Sequence, residues 1–136
     1  MANVLLVDDS TPTLNRLARH FRRWGHEVKT ESDAGNVIRA MADQSTDLVV
    51  LDVLMLDVDG IDVLRAIRRH VDPGLAATPV IMHSMARDPR IIAQALKAGA
   101  QDYVIKATSA EELRHRVAKC LIPPSAAPHA PPPKAV

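Results

Sequence analysis

The stretches NVLLV (3–7), DLVVL (47–51), PVIMHS (79–84) and DYVIK (102–106) are short apolar runs bounded by polar or turn-forming residues. Runs this short read as buried strands, and the unbroken LVVL predicts a central parallel strand covered on both faces. HEVKT (26–30) is more polar and predicts a strand nearer a sheet edge. Between the runs, apolar residues recur at helical spacing. Residues 11–24 place Leu14, Leu17, Ala18 and Phe21 on one face, and Gly25 stops that helix. A second helix starts at Ser32 or Asp33 and buries Val37, Ile38 and Met41. Asp59 caps a third, with Asp62 in its first turn and Ile61, Leu64, Ile67 and Val71 facing inward. Asp88-Pro89 opens a fourth that runs through Ala98 and ends at Gly99. Ser109-Ala-Glu-Glu112 reads as a capping box, opening a fifth with Leu113, Val117, Cys120 and Leu121 inward.

Strands alternating with helices imply right-handed crossovers and an α/β architecture, a doubly wound five-stranded parallel sheet. The 136 residues suit one domain, residues 1–122, with enough apolar mass (47%) for a core. Residues 123–136, PPSAAPHAPPPKAV, hold six prolines and no apolar period. They are expected to form a disordered, partly polyproline II tail or linker.

Charge and composition narrow the chemistry. The formal net charge is +1, which carries no general bias toward nucleic acid or an anionic membrane. The arginine groups at 19, 22, 23 and at 65, 68, 69 read as solvated helix faces. Phe21, Trp24 and Tyr103 are the whole aromatic set, too few for a base-stacking surface. Cys120 stands alone, so the chain holds no disulfide framework and a reducing compartment fits best. The N-terminus lacks a signal-peptide pattern, and no apolar run reaches the roughly 20 residues of a membrane span, so a cytoplasmic protein is expected.

In open parallel sheets, sites form where the strands end at their carboxyl edge. The polar residues at those ends are Asp8 and Asp9, then Asp52, Ser84 and Lys106. Three carboxylates brought together repel one another unless a cation joins them, and Mg²⁺ prefers oxygen ligands. Lys106 adds a fixed positive charge and Ser84 a hydroxyl donor. Such a group suits phosphoryl transfer to an aspartate, which forms an acyl phosphate.

At these residues the chain resembles the response-regulator receiver domains of two-component signalling, a CheY-like family with a flavodoxin-like (βα)5 fold, over roughly residues 3–121. The acidic pair falls on Asp8-Asp9, the phosphoacceptor on Asp52 before a D-x-x-M…DG loop, the switch hydroxyl on Ser84, the lysine on Lys106 and the switch aromatic on Tyr103. The resemblance implies Mg²⁺ ligated by Asp9, Asp52 and the backbone carbonyl of Leu54, with Asp8 acting largely through water. It implies a sensor histidine kinase or histidine phosphotransfer protein as donor and a downstream protein target. With the charge and composition above, no direct nucleic-acid or membrane binding by this chain is expected, and a homodimer is possible. Phosphorylation would draw Ser84 toward the phosphate and let Tyr103 move inward. The molecule would be a phosphoaccepting signalling module rather than an enzyme, either stand-alone or the amino-terminal part of a longer protein.

The chain departs from the family pattern at several positions. Leu56 and Ala107 stand where prolines are usual, and Met85, where a small residue is usual, is expected to crowd the phosphoryl pocket. Leu54 and Ala86 leave two common water-positioning sites apolar. Simpler roles suffice for several other residues: Asp59 as a helix cap, Asp57 as a solvated loop residue, His83 as packing on the strand face away from Ser84. The remaining histidines (20, 26, 70, 115, 129) show no metal-ligand spacing and are expected at the surface. An aspartyl-nucleophile phosphohydrolase would need a D-x-D at the first strand, which VDDS lacks. A dinucleotide binder would need a glycine-rich turn there, which is also absent. A degenerate receiver that binds partners without phosphorylation would not need all five site residues.

Overall fold

A computed structural model describes residues 1–121. The proline-rich segment expected to be a tail lies outside the described residues. In chain order the elements are β1 (Asn3–Val7), α1 (Thr11–Arg23), β2 (Glu27–Glu31), α2 (Val37–Asp43) and β3 (Leu48–Leu51). A two-residue hairpin follows, β4 (Leu54–Met55) and β5 (Val58–Asp59). Then come α3 (Gly60–Arg68), a short α4 (Pro73–Ala76), β6 (Val80–Ser84), α5 (Pro89–Lys97), β7 (Asp102–Ile105) and α6 (Ala110–Cys120). Five strands form one parallel sheet in the order β2-β1-β3-β6-β7. The order reverses direction after β1, so the loops following β1 and β3 open a crevice between them.

Side-chain alternation splits the core into two layers. Leu5, Val7, Val49, Leu51, Val80 and Met82 face α2, α3 and α5, where Val37, Met41, Ile61, Leu64, Ile67 and Ala95 meet them. Val4, Leu6, Leu48, Val50, Ile81 and Val104 face α1 and α6, against Leu14, Leu17, Phe21, Leu113 and Val117. β1, β3 and β6 are buried on both sides, as their unbroken apolar runs require. The polar β2 is an edge strand, as its composition indicates.

The caps at Asp59, Asp88 and Ser109 fall where expected, and Ser10 caps the first helix. Ser10, Asp59, Asp88 and Ser109 each accept a bond from a backbone N–H in the first turn of the following helix. The capping box at Ser109 is only half formed: Ser109 Oγ accepts from Glu112 N, but the Glu112 carboxylate pairs with Arg116 Nε at 3.0 Å. Other expectations need correction. α3 ends at Arg68, so Val71 points into solvent, 93% exposed, instead of inward. The second helix begins as a 3₁₀ turn at Ala34–Asn36 after the Asp33 cap; Ile38, Cys120 and Leu121 do pack against the core, though only partly buried. His20, His26 and His70 are half-buried too, not at the open surface.

Arg68, read from sequence as part of a solvated face, turns inward and uses all five of its donors. Nε and Nη2 donate to Gly99 O at 3.1 and 2.8 Å, and Nη1 donates to Ala76 O and Thr78 O at 2.9 and 2.7 Å. Nη2 also reaches Gln101 Oε1 at 2.9 Å. No carboxylate is among these partners. The guanidinium therefore ties the ends of α3, α4 and α5 to the sheet edge opposite the strand-end carboxylates. Gly99 fits this role for two reasons: its φ is +111°, and a Cβ there would lie 2.8 Å from Arg68 Nε. Arg68→Ala would strand several carbonyls. We expect a loss of about 3 kcal/mol by urea denaturation, with Arg68→Lys, which lacks the planar fork, recovering less than half. A loss below about 1 kcal/mol would show that water replaces the clamp.

His83 lies in β6 and is buried as expected, but it is not simple packing, because its Nδ1 has no hydrogen-bond partner among the described residues. Burial, with Lys106 and Arg16 nearby, lowers its pKa to about 4, and Asp8 opposes that shift. Between the ordinary value of 6.5 and about 4 the unfolded chain binds the proton and the folded chain does not. Stability contributed by the neutral ring is therefore complete above pH 6.5 and lost as pH falls toward 4. The shift sets a ceiling of about 3 kcal/mol. Asp52, whose pKa is raised, works in the opposite sense at the acid end. We expect thermal stability to drop between pH 6.5 and 4 and His83→Phe to flatten the drop; an unchanged slope in the variant would assign it to other groups.

Candidate functional site

The strand ends deliver their polar residues to one place. Asp52 follows β3, whose exit is pinned by the bond from Asp52 N to Val7 O at 3.1 Å. Asp8 follows β1, where its N donates to Glu31 O, and its Oδ1 accepts from Ser10 N at 2.9 Å. One carboxylate oxygen from each of Asp8, Asp9 and Asp52 lies within 4.8 Å of the others. Asp9 is exposed, while Asp8 and Asp52 are 1% and 3% exposed.

Lys106 answers the two buried carboxylates. Its Nζ stands 2.9 Å from Asp8 Oδ2 and 3.1 Å from Asp52 Oδ2. Its backbone N donates to Ser84 O at 2.8 Å, so the lysine starts from a fixed point at the end of β6. Burial raises the Asp52 pKa above the ordinary carboxylate value; the Lys106 hydrogen bond opposes the shift and the Asp8 charge adds to it. Burial opposes the Lys106 charge, but its close pairing with the Asp8 and Asp52 carboxylates prevails and its pKa is raised.

The hairpin folds back over the cluster. Leu54 N donates to Asp52 Oδ1 at 3.1 Å, and Leu56 N donates to Asp9 Oδ2 at 2.6 Å. Asp57 turns the hairpin at φ 64°, a left-handed conformation that aspartate tolerates, and it stays exposed. Gly60 closes the loop by donating to Val53 O, and a Cβ there would lie 1.9 Å from the Asp52 carbonyl oxygen. The D-x-D at 57–59 is therefore a turn and a cap, as read from sequence.

Ser84 and Tyr103 meet at one residue, Ala86. Ala86 N donates to Ser84 Oγ at 3.2 Å, and Tyr103 Oη donates to Ala86 O at 2.8 Å. Both side chains are buried. The tyrosine already occupies the inward position that the resemblance assigns to the phosphorylated state. Met85 points outward, 69% exposed, and does not crowd the pocket as expected. It sits one residue beyond the last β6 position, so strand alternation turns it away from Ser84. The Lys106–Ala107 bond is trans.

The donor set fits a hard divalent cation. Three carboxylates face one ammonium, leaving a formal excess of negative charge. Asp8 Oδ2, though within ion-pair distance of Lys106, receives no aligned hydrogen bond. Oxygen-only donors of this kind suit Mg²⁺.

Comparison with known proteins shows the family and the fold. The family model "Response regulator receiver domain" matches residues 4–118. The transcriptional regulatory protein KdpE of Mycobacterium tuberculosis is 37% identical over 117 residues, 86% of this chain and 50% of that protein. GltR of Pseudomonas aeruginosa, another transcriptional regulatory protein, is 33% identical over 85% of this chain and 47% of its own length. The chain thus spans about half the length of these curated relatives. Among solved structures, the chemotaxis protein CheY4 of Vibrio cholerae superposes with a TM-score of 0.82 at 25% identity, over 89% of this chain and 99% of that one. A receiver domain from Clostridium thermocellum gives 0.79 at 27% identity, over 89% and 94%.

Proposed function

The chain belongs to the response-regulator receiver family, and we propose that Asp52 is its phosphoacceptor, charged from a phosphohistidine on a sensor kinase or phosphotransfer protein. The convergence of Asp8, Asp9, Asp52, Ser84 and Lys106 on one sheet edge carries this reading. An Asp52 oxygen attacks phosphorus as the bond to the donor nitrogen breaks. Lys106, already against Asp52 Oδ2, holds the charge that accumulates on the phosphoryl oxygens. Asp8, Asp9, Asp52 and the Leu54 carbonyl would hold Mg²⁺, with Asp8 acting largely through water. When bound, that ion supplies the charge neutralisation that one lysine cannot.

Ser84 gives up its bond from Ala86 N and donates to a phosphoryl oxygen instead. Ala86 also holds the Tyr103 hydroxyl, so the exchange loosens or re-forms the contact that positions the tyrosine ring. Through this shared residue the site would remodel the surface around α5 and β7, which a downstream protein reads. Leu54 and Ala86 offer no polar side chain to orient a hydrolytic water, which favours a persistent acyl phosphate. No helix among the described residues is long and apolar enough to cross a membrane. We place the molecule in the cytoplasm, residues 1–122 acting as the receiver and 123–136 as tail or linker, without nucleic-acid binding of its own.

Acetyl phosphate with Mg²⁺ should add one phosphoryl group by intact mass, and EDTA or Asp52→Asn should abolish it. Labelling that survives in Asp52→Asn would overturn the assignment.

A further inference from the structure

The face shared by the hairpin and α5 is apolar at its centre and opposite in charge on its two sides. A groove of about 270 Å³ runs between them, lined by Met55, Val58 and Ile61 on one side and by Ile91 and Gln94 on the other. Asp59 stands in the hairpin wall, and the exposed Asp57 turns the hairpin beside it. Neither carboxylate is ion-paired among the described residues. The α5 wall carries the other sign. Arg87 leads into the helix, and Lys97 lies one turn beyond Gln94 on the same side. Both are exposed and without an ion pair among the described residues, whereas Arg90 is paired with Asp88. Four exposed apolar side chains stand on the hairpin and on the loop before α5: Leu54 (55% exposed), Leu56 (77%), Val58 and Met85. None belongs to the buried core, and a cluster of this kind marks a surface that something covers.

We propose that this face binds a second copy of the same chain across a two-fold axis. A two-fold contact sets a surface against its own reversed copy, so its two sides must be complementary to each other. Here the hairpin wall of one copy, with Asp57 and Asp59, meets the Arg87 and Lys97 wall of the other, and the pairing occurs twice. A partner of uniform charge would match one wall and be repelled by the other. Leu56, next to Asp57 at the turn, is carried by the same pairing toward the groove of the other copy. There Val58, Ile61 and Ile91 offer it apolar surface, which removes the leucine from water. Four apolar side chains and two charge pairs per copy are few against the roughly 20–30 residues a side of a standard interface. The dimer is therefore a weak one, formed as concentration rises and weakened by salt.

The test is sedimentation velocity on the full chain from about 10 μM to about 1 mM, the range of a weak protein contact. The sedimentation coefficient should rise with concentration, and raising salt from about 0.05 to about 0.5 M should weaken the association on the order of tenfold. Leu56→Gln should weaken it on the order of tenfold as well. Two further variants each reverse one wall. The first is Arg87→Glu with Lys97→Glu; the second is Asp57→Lys with Asp59→Asn, which keeps a capping side chain at position 59. Each alone should stay monomeric, because both of its walls then carry one sign. Mixed in equal amounts they should associate again, because every wall meets its opposite, and that recovery also shows both variants to be folded. Arg23→Glu with Lys119→Glu makes the same change in net charge on α1 and α6, across the sheet, and should associate as the wild type does. Association that the wall variants leave unchanged, a mixture that does not recover, or an equal loss in the α1 and α6 variant would overturn the proposal. So would a wild-type chain that stays monomeric throughout, which would leave the groove to a partner other than this chain.

Discussion

Two carboxylates kept almost wholly out of water need a cation that arrives with them, and Lys106 is that cation. Isolated in a dry site, each charge would carry a penalty of several kcal/mol. The sheet order explains why the cation is a lysine. β7 is separated from β3 by β6, so the ammonium must cross the end of an intervening strand, roughly 10 Å at ordinary strand spacing. Only a long side chain can do this while anchored by its backbone bond to Ser84 O. The same lysine thereby makes the geometry of β1, β3, β6 and β7 interdependent. The balance is incomplete, because Asp9 brings a third carboxylate. That residual negative charge is what a bound divalent cation would neutralise.

The core pattern and strand ends were legible because they follow from short-range rules. LVVL can only sit in the middle of a parallel sheet, and the strand-end residues inherit their positions from it. Asp8, Asp9, Asp52, Ser84 and Lys106 gather without a single local signal linking them; the topology does the gathering. Val71 misled because the helical period continues past Arg68 while the chain leaves the helix at Arg69. The hairpin at Leu54–Asp59 was invisible because two-residue strands carry no period, and its shape depends on Gly60 lying against the Asp52 carbonyl.

Arg68 shows a different limit. In sequence it is the middle of three arginine positions on an amphipathic helix, indistinguishable from Arg65 and Arg69. Its partners are backbone carbonyls at Ala76, Thr78 and Gly99, which leave no trace in side-chain chemistry. His83 was read correctly as facing away from Ser84, but its missing hydrogen bond could not be anticipated. Met85 misled because its size was weighed without its direction, and the side chain turns outward.

The balance of charge around Lys106 can be measured directly by following the Asp52 carboxyl carbon through a pH titration by NMR in cation-free buffer. A pKa above the ordinary 3.8 is expected, because burial and Asp8 outweigh the lysine. A further rise is expected in Lys106→Met, where the opposing hydrogen bond is gone. An Asp52 that titrates at or below 3.8, or that ignores the loss of Lys106, would contradict this balance.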